Sequence, residues 1–369
     1  MRRGRPPTFG VEEEFLLLHP GTGRPVPRAP EVLGEVAANG RRFTAELTAF
    51  QLESNTPVCR TADEAQRALV AARHELAAAA DRHDSLLVAT GFSPLALPDS
   101  LPLTDKPRYH RIRDRFGQLL DSHTAAGCHV HVGMPDLATG LAVSDHLRPH
   151  LPALLALTAN SPFCGGRDTG HASWRSVVWS RLPSAGPPPL HRNPDSYQRS
   201  VQLLLNSGAA LDRAMIYWLV RPAVHLSTLE FRISDATGTA EESLLLALLI
   251  RALASTALQD VADGRPAPEL PDQRLRLALW RAAHDGLEGS GLDADGDLVP
   301  ARTLLEKLLA AARPALEASG DAELVDDILG RVLRHGSGAH RQRRAHDRRH
   351  DMADVLALLA EQTRTALPD

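Results

Sequence analysis

The stretch TFGVEEEFLLL, residues 8–18, constrains the fold most, because three consecutive carboxylates stand directly before an aliphatic run. Side chains alternate across a β-strand, so Glu12 and Glu14 point to one face and Glu13 to the other. Aliphatic runs are buried, whereas carboxylates are almost never buried unless a partner compensates their charge. This segment therefore predicts a strand with one face on a core and a polar face that lines a site.

Three further segments carry polar side chains in the same manner. Residues 128–134 read CHVHVGM, residues 228–234 read TLEFRIS, and residues 45–58 read AELTAFQLESNTPV. In the first two segments, alternation separates an apolar face from a face that holds charge or imidazole. The side chains that we predict to share a polar face are Glu12, Glu14, Glu46, Glu53, His129, His131, Glu230 and Arg232.

Each of these patterns alone is more often a solvated strand face than a site. Together they supply five carboxylates, and convergence of five carboxylates would be strongly repulsive without cations. Oxygen-rich sites with one imidazole suit Mg²⁺ or Mn²⁺. The three widely spaced cysteines form no zinc pattern, and although the His-x-His pair is also found in zinc hydrolases, no (β/α)₈ series accompanies it here.

The secondary-structure patterns predict an α+β fold. Strand-like segments are separated by long helical patterns, so the sheet must be assembled from distant parts of the chain. Thr61 with Glu64 is predicted to form a capping box at a helix start. The charged run 340–351 is predicted to be a solvated helix face. We expect strands at 9–18, 43–54, 85–92, 128–134 and 227–234, and helices at 61–83, 139–160, 195–215, 239–264 and 301–334.

Several function classes are poor interpretations of this sequence. Lysine occurs only at Lys106 and Lys307, and neither follows a glycine, so there is no phosphate loop of the GxxxxGK[ST] type. The GxGxxG and GxSxG motifs are also absent, which disfavours Rossmann enzymes and α/β-hydrolases. Any nucleotide must therefore be held mainly by arginine and metal.

Charge and hydropathy favour a protein with small-molecule partners. The formal net charge of −4 does not suggest nucleic acid, and the apolar run 244–250 is too short to span a bilayer. We expect no signal peptide after the basic start, and an odd number of cysteines indicates reduced thiols and a cytoplasmic location. The sequence leaves the oligomeric state open, a homodimer included.

Six segments, taken together and in this order, resemble one known family. The chain is similar to the type 2 glutamate–cysteine ligases, also called carboxylate–amine ligases, of the glutamine synthetase-like superfamily. The resemblance runs from about residue 8 to residue 360, which implies a single catalytic domain over 8–360 with short tails at 1–7 and 361–369. The segments are FGVEEEFLLL, ELTAFQLESNTPV, GCHVHVGMPD, LTANSPFCGGRDTGHASWRS, TLEFRISDA and GSGAHRQRR.

The resemblance implies a fold and a site. The fold would be a curved, mainly antiparallel sheet with the active site on its concave face and helices on the convex side. Glu12, His129 and Glu230 would form one metal site. Glu14, Glu46 and Glu53 would form another. Arg232 and Glu230 would be the catalytic residues, and Arg232 would face the γ-phosphate of ATP.

Further roles follow for groups near that site. His131, Arg167 and Arg175 are candidates for binding substrate. The glycine-rich segment 164–170, CGGRDTG, is the candidate for a loop that closes over the intermediate. We expect ATP and Mg²⁺ (or Mn²⁺) as cofactors.

The reaction implied is amide-bond formation through an acyl phosphate, with release of ADP and phosphate. Glutamate would be the acid, and cysteine or another small amine would be the nucleophile. Two segments differ from the usual family pattern, AAHDGL at 282–287 and AVHLS at 223–227, and they leave the identity of both substrates open. Two alternatives remain: a phosphotransferase that acts on a carboxylate or guanidino group without ligation, and a non-catalytic binding relative.

Overall fold

The protein is described here by a computed structural model that covers residues 6–36, 43–121 and 124–368. Its central feature is an open seven-stranded sheet in which every pairing is antiparallel. The predicted α+β class with a mainly antiparallel sheet is confirmed. The strand order is β2–β3–β1–β5–β9–β8, with β4 also paired to β1. The sheet strands are β1 (Phe9–Leu18), β2 (Phe43–Ala45), β3 (Gln51–Asn55), β4 (Leu86–Val88), β5 (Gly127–Gly133), β8 (Val220–Ala223) and β9 (Thr228–Asp235).

Helices cover the apolar side of this sheet. The long helix α9 packs on β5 and β1 and is itself surrounded by other helices. It is apolar on nearly all sides because it lies in the middle of the core. The helices are α1 (Ala29–Val36), α2 (Ala62–Arg82), α3 (Pro107–Phe116), α4 (Gln118–Asp121), α5 (Leu137–Leu147), α6 (Leu151–Leu157), α7 (Trp174–Trp179), α8 (Pro194–Asn206), α9 (Ala240–Ala262), α10 (Asp272–Asp285), α11 (Ala301–Ser319), α12 (Ala322–His335), α13 (Gly338–Asp347) and α14 (Met352–Arg364).

Two short hairpins lie outside the main sheet. They are formed by β6 (Phe163–Cys164) with β7 (Arg167–Asp168), and by β10 (Ser290–Leu292) with β11 (Leu298–Pro300). Among the described residues, α9 is the one helix that is long and apolar enough to cross a membrane. Two thirds of its most apolar window is buried inside the protein, as in the core helix of a globular domain.

Local sequence signals placed the helix starts well. The predicted capping box of Thr61 and Glu64 is present at the start of α2. A second capping box, Thr239 with Glu242, starts α9. In such a box each side chain satisfies a backbone N–H that the first helical turn leaves without a partner.

Four predicted elements are divided in the structure, among them 195–215, which is α8 followed by a separate 3₁₀ turn at Arg213–Met215. The segment 43–54 is two strands, because the chain leaves the sheet between β2 and β3. The segment 301–334 is two helices, separated at Gly320, whose φ of 78° is the left-handed conformation that ends a helix. The segment 139–160 is broken into α5, a 3₁₀ turn at Arg148–His150 and α6. Of 85–92, only Leu86–Val88 is a strand.

The charged run 340–351 was predicted to be a solvated helix face, but two polar side chains of its first turn are buried. The side chain of Arg341 is buried and forks onto Glu242 with distances of 2.9 and 2.8 Å. Gln342 is also buried, and its Nε2 donates to Asn160 Oδ1 at 2.8 Å. Helix α13 therefore attaches to the core by one face and presents only the other to solvent.

The three cysteines are free, as the sequence predicted: Cys59 and Cys128 are buried and Cys164 is half-buried. The cytoplasmic location and the single domain over 8–360 stay predictions.

Candidate active site

A cavity of about 460 Å³ lies over the polar face of the sheet. All eight side chains that the sequence assigned to that face line it, although they come from segments up to 220 residues apart. They are Glu12, Glu14, Glu46, Glu53, His129, His131, Glu230 and Arg232.

Strand register brings these side chains together. Glu14 pairs with Glu53 across β1 and β3, and Glu12 pairs with His129 across β1 and β5. His131 in turn pairs with Glu230 across β5 and β9. Residues directly opposite in antiparallel strands point to the same face with Cβ atoms about 5 Å apart. Glu46 reaches the same cavity from the segment between β2 and β3.

One group consists of three carboxylates, Glu14, Glu46 and Glu53. One oxygen from each lies within 4.8 Å of the others. Burial raises the pKa of Glu14 to about 7, despite the opposing charges of Arg175 and Arg232. Burial and the neighbouring Glu53 raise the pKa of Glu46 well above its ordinary value. This group therefore needs a bound proton or a cation to compensate its charge.

Gly127 holds Glu14 in place, and the sequence analysis missed this residue. Its backbone N–H donates to Glu14 Oε2 at 2.5 Å. A Cβ at Gly127 would lie 2.5 Å from Arg175 Nη2 and 2.9 Å from His129 Nε2. Only glycine lets the start of β5 approach the site this closely.

The other group consists of Glu12, His131 and Glu230, whose ligand atoms also lie within 4.8 Å of one another. His131 Nε2 lies 3.1 Å from Glu12 Oε1. The resemblance instead implied His129 as the imidazole of this group. His129 lies between the two groups, with Nδ1 3.3 Å from Glu12 Oε2 and Nε2 3.9 Å from Glu14 Oε1.

Strand register, with a bulge beside it, places His131 rather than His129 opposite Glu230. The β5–β9 register shifts by one residue between Cys128 and Val130, so two residues of β9, Arg232 and Ile233, face His129. Bulges re-aim side chains in this way, and they are common next to active sites. Arg232 Nη1 lies 3.4 Å from His129 Nδ1 and also donates to Glu230.

The ionisation of the site suits metal binding. Burial alone would raise the pKa of Glu12, but its contacts with His129 and His131 lower this pKa. Burial likewise opposes ionisation of Glu230, but the charges of Arg232 and Arg221 lower its pKa. Burial and the charge of Arg232 lower the pKa of His129 to about 4, so that its imidazole is neutral. Two carboxylates are therefore charged, and His129 is a neutral imidazole, the form that binds metal. Although burial favours the neutral form of His131 as well, its contact with Glu12 raises the pKa of His131.

A buried nitrogen atom without a hydrogen bond tests whether a metal fits. Within the described residues, the Nε2 atom of His129 is buried and makes no hydrogen bond. A buried polar atom without a partner is rare and calls for an explanation, such as an ion. The donor set of oxygens with imidazole fits Mg²⁺ or Mn²⁺.

Two arginines hold Glu230, and the sequence analysis identified only Arg232. Arg221 forks onto the Glu230 carboxylate with Nε 2.7 Å and Nη2 3.2 Å from its two oxygens. Its Nη1 is anchored by the carbonyls of Ala214 and Ile216, both at 2.8 Å. Arg221 lies on the short strand β8, which pairs with β9, the strand that carries Glu230 and Arg232. An arginine on such a neighbouring strand was the signal that the sequence offered.

Two of the substrate-binding candidates lie outside the cavity lining. Arg167 is exposed on the β6–β7 hairpin. Arg175 is buried behind the site, where Nη2 donates to the Arg232 carbonyl at 3.3 Å. The charge of Arg175 lowers the pKa of Glu14, although the Arg175 side chain does not line the cavity. The third candidate, His131, does line the cavity.

The candidate closing loop, 164–170, also lies outside the cavity lining. It forms the β6–β7 hairpin, and Arg343 of α13 forks onto its Asp168 at 2.7 and 2.8 Å. The cavity wall is formed instead by the side chains of α3, the end of α7 and residues 213–217.

Comparison with known proteins identifies the family. The sequence profile of glutamate–cysteine ligase family 2 matches residues 8–362. The chain belongs to glutamate–cysteine ligase family 2. The family prediction made from the six segments is thereby confirmed, and membership supports an ATP-dependent ligase that joins a carboxylate to an amine.

Relatives of this family 2 protein match along almost their whole length. It is 46% identical over 358 residues to a protein of Mycolicibacterium vanbaalenii that bears the name glutamate–cysteine ligase 2-2, covering 97% of this chain and 98% of that one. It is 44% identical over 358 residues to a protein of Nocardia farcinica named glutamate–cysteine ligase 2-1, covering 97% and 93%.

Solved structures share the fold at low sequence identity. The glutamate–cysteine ligase of Francisella tularensis, solved in complex with AMP, superposes with a TM-score of 0.72 at 14% identity, covering 99% of this chain and 91% of that chain. The bifunctional glutathione synthetase of Pasteurella multocida has a TM-score of 0.70 at 16% identity, covering 98% of this chain. This family 2 protein spans only 52% of the length of that bifunctional enzyme.

Proposed function

We propose that this family 2 protein activates the γ-carboxylate of glutamate with ATP and joins it to a small amine. The observation that carries the proposal is the pair of ligand groups on one sheet face, Glu12–His131–Glu230 and Glu14–Glu46–Glu53, with Arg232 lining the same cavity. Phosphoryl transfer needs positioning and compensation of charge, and this face offers both.

The two groups would each hold a divalent cation. Bound Mg²⁺ or Mn²⁺ would neutralise phosphate oxygens and orient the acid. His129 lies between the two groups and would complete either of them.

Arg232 would stabilise the charge that develops on the transferred phosphoryl group. Its guanidinium is buried, and it lies 5.8 Å from the ring centre of Trp179 and 5.9 Å from that of Tyr217. These rings fix the orientation of the guanidinium plane and exclude water. A fixed, desolvated donor contributes far more to catalysis than a mobile one in water.

The chemistry follows two balanced steps. An oxygen of the acid attacks the γ-phosphorus of ATP, the bond to the β-phosphate oxygen breaks, and ADP leaves. The amine nitrogen then attacks the acyl carbon, phosphate leaves, and the nitrogen loses a proton. The acyl phosphate must meet the amine before it meets water, so exclusion of water from the cavity would be part of the mechanism.

A second cavity of about 740 Å³ supports an orientation for the nucleotide. It shares Glu12, His131 and Leu226 with the first cavity. Its remaining walls are largely apolar, with contributions from Val58, Met134 and Leu258. We place the nucleoside of ATP there and the acid beside the Glu14 group, so that the γ-phosphate would lie near Arg232 and the two ligand groups.

Trapping the intermediate tests this function. The protein would be incubated with Mg²⁺, ATP, L-glutamate and hydroxylamine, which captures acyl phosphates as hydroxamates. We expect hydroxamate and ADP in equal amounts, and neither product with a Glu53→Gln variant. A panel of acids and amines would then identify the natural substrates.

Three other outcomes separate the alternatives. AMP in place of ADP would exclude transfer of the γ-phosphoryl group. A stable phosphorylated product that forms without any amine would support a phosphotransferase. Binding of ATP with no turnover of any acid would support a non-catalytic relative.

A further inference from the structure

A cluster of potential metal ligands lies at the end of α13, away from the cavity. Ligand atoms of His346, Asp347 and His350 lie within 4.8 Å of one another. None of these residues lines either cavity described above. We propose that this cluster, the α13 histidine site, binds a first-row transition ion of the Zn²⁺, Ni²⁺ or Cu²⁺ class.

Backbone geometry brings the two imidazoles together. The N–H of His350 donates to the carbonyl of His346 at 2.7 Å, so the helical turn continues past the end of α13. Residues four apart in a helix lie on the same side. The ring centres of His346 and His350 are 5.6 Å apart, and His346 Nδ1 is 3.6 Å from Asp347 Oδ1.

The base of the site is held in place by packing. The His346 ring lies against Phe163 of β6, with ring centres 5.2 Å apart, and its side chain is only 26% exposed. Arg343, one turn earlier, is fixed by its fork on Asp168 of β7. His350 has a left-handed φ of 55°, which turns the chain immediately after the cluster.

The donor set selects the class of ion. Two imidazoles with one carboxylate suit zinc, nickel and copper, whereas Mg²⁺ prefers an all-oxygen shell. Asp347 is 70% exposed, so water can fill the remaining coordination positions. In the described part of the chain, neither imidazole makes a hydrogen bond to another protein side chain that would have to be broken first. The site is therefore distinct in chemistry from the Glu14–Glu46–Glu53 group.

Variants can remove the ligands without disturbing the fold. His346→Phe keeps an aromatic ring on Phe163, and His350→Asn keeps a residue that tolerates a left-handed φ. His110→Ala is the matched control, because His110 is an exposed histidine whose Nε2 lies 3.1 Å from Asp105 Oδ1 with no second histidine in the pair.

The test counts bound metal. The full chain would be titrated with Zn²⁺ in competition with a chromophoric chelator. Excess Mg²⁺ would be present throughout, so that differences in bound Zn²⁺ between wild type and the variants report the α13 histidine site. We expect His346→Phe and His350→Asn each to bind one equivalent fewer than wild type, or to bind it at least ten-fold more weakly, while His110→Ala matches wild type. Circular dichroism and basal activity should be unchanged in all three.

Thermal unfolding gives an independent reading. A ligand that binds only the native state raises the unfolding temperature. The rise caused by Zn²⁺ should be smaller in the two cluster variants than in wild type and His110→Ala. Equal stoichiometry, affinity and thermal shift across all four proteins would overturn the proposal.

Discussion

Glu13 and Arg73 form a buried ion pair on the side of β1 opposite the candidate active site. Glu13 Oε1 lies 2.7 Å from Arg73 Nη2, and both side chains are 2% exposed. Ser243 donates to the same carboxylate at 2.5 Å, and the carbonyls of Thr237 and Gly238 accept from the guanidinium at 2.9 and 2.8 Å. Of the three consecutive glutamates, the middle one therefore joins β1 to α2 and α9, while its neighbours line the cavity.

Removing one member of this pair should destabilise the fold strongly. Glu13→Gln leaves the Arg73 charge buried without compensation, which costs about 3–5 kcal/mol. Asp326→Asn is the matched control, because its pair with Arg313 at 2.7 Å is largely exposed and should contribute less than about 1 kcal/mol. Urea unfolding measures both. Equal losses in the two variants would contradict the structural role assigned to Glu13.

The carboxylates of the cavity should be required for activity rather than for folding. Glu12→Gln, Glu14→Gln, Glu53→Gln and Glu230→Gln each remove a metal-binding charge, so turnover should fall by at least about 100-fold, which is roughly 2.7 kcal/mol of transition-state stabilisation. Activity should also depend on Mg²⁺ or Mn²⁺. Steady-state ADP release measures both, with circular dichroism to check folding. Full turnover in excess chelator would contradict the metal assignment.

Arg232→Lys should reduce turnover strongly and leave the protein folded. Lysine keeps the positive charge beside Glu230 but cannot donate two parallel hydrogen bonds to a phosphoryl group. We expect the loss mainly in kcat, because the contact forms as the phosphoryl group moves. If the Arg232→Lys variant kept a normal kcat, the role of Arg232 would be that of an ion-pair partner for Glu230.

Acid should destabilise the protein in part through His191. This imidazole is 1% exposed and packs between Tyr197 and Trp218, and burial lowers its pKa to about 4. The unfolded chain, with an ordinary pKa near 6.5, binds a proton that the folded protein does not. The contribution of neutral His191 is thus complete above pH 6.5 and is lost as the pH falls toward 4.

The His191→Phe variant separates this contribution from the general effect of acid. Its free energy of unfolding should fall less than that of wild type between pH 6.5 and pH 4, because no buried imidazole has to be protonated. His110→Ala, which changes an exposed histidine, should keep the wild-type slope. Parallel slopes for wild type and His191→Phe would show that another group dominates this range.

The sequence by itself determined the features that depend on local periodicity. Alternation along β1 placed Glu12 and Glu14 on one face and Glu13 on the other, and the structure agrees. The helix start at Thr61 followed from a capping pattern only four residues long. The six family segments could be recognised without knowing how they pack, and the family is confirmed.

Tertiary structure decided which side chains meet. His131 rather than His129 joins Glu12 and Glu230 because the β5–β9 register places His131 directly opposite Glu230. Arg73 and Arg221 reach their glutamates from a helix and a strand that no periodicity connects to them. A strand's alternation is a property of each residue and its neighbours in sequence, whereas register is a property of two segments far apart in the chain. Core packing and ladder hydrogen bonds set that register, and a slip of one residue would move every side chain to the other face.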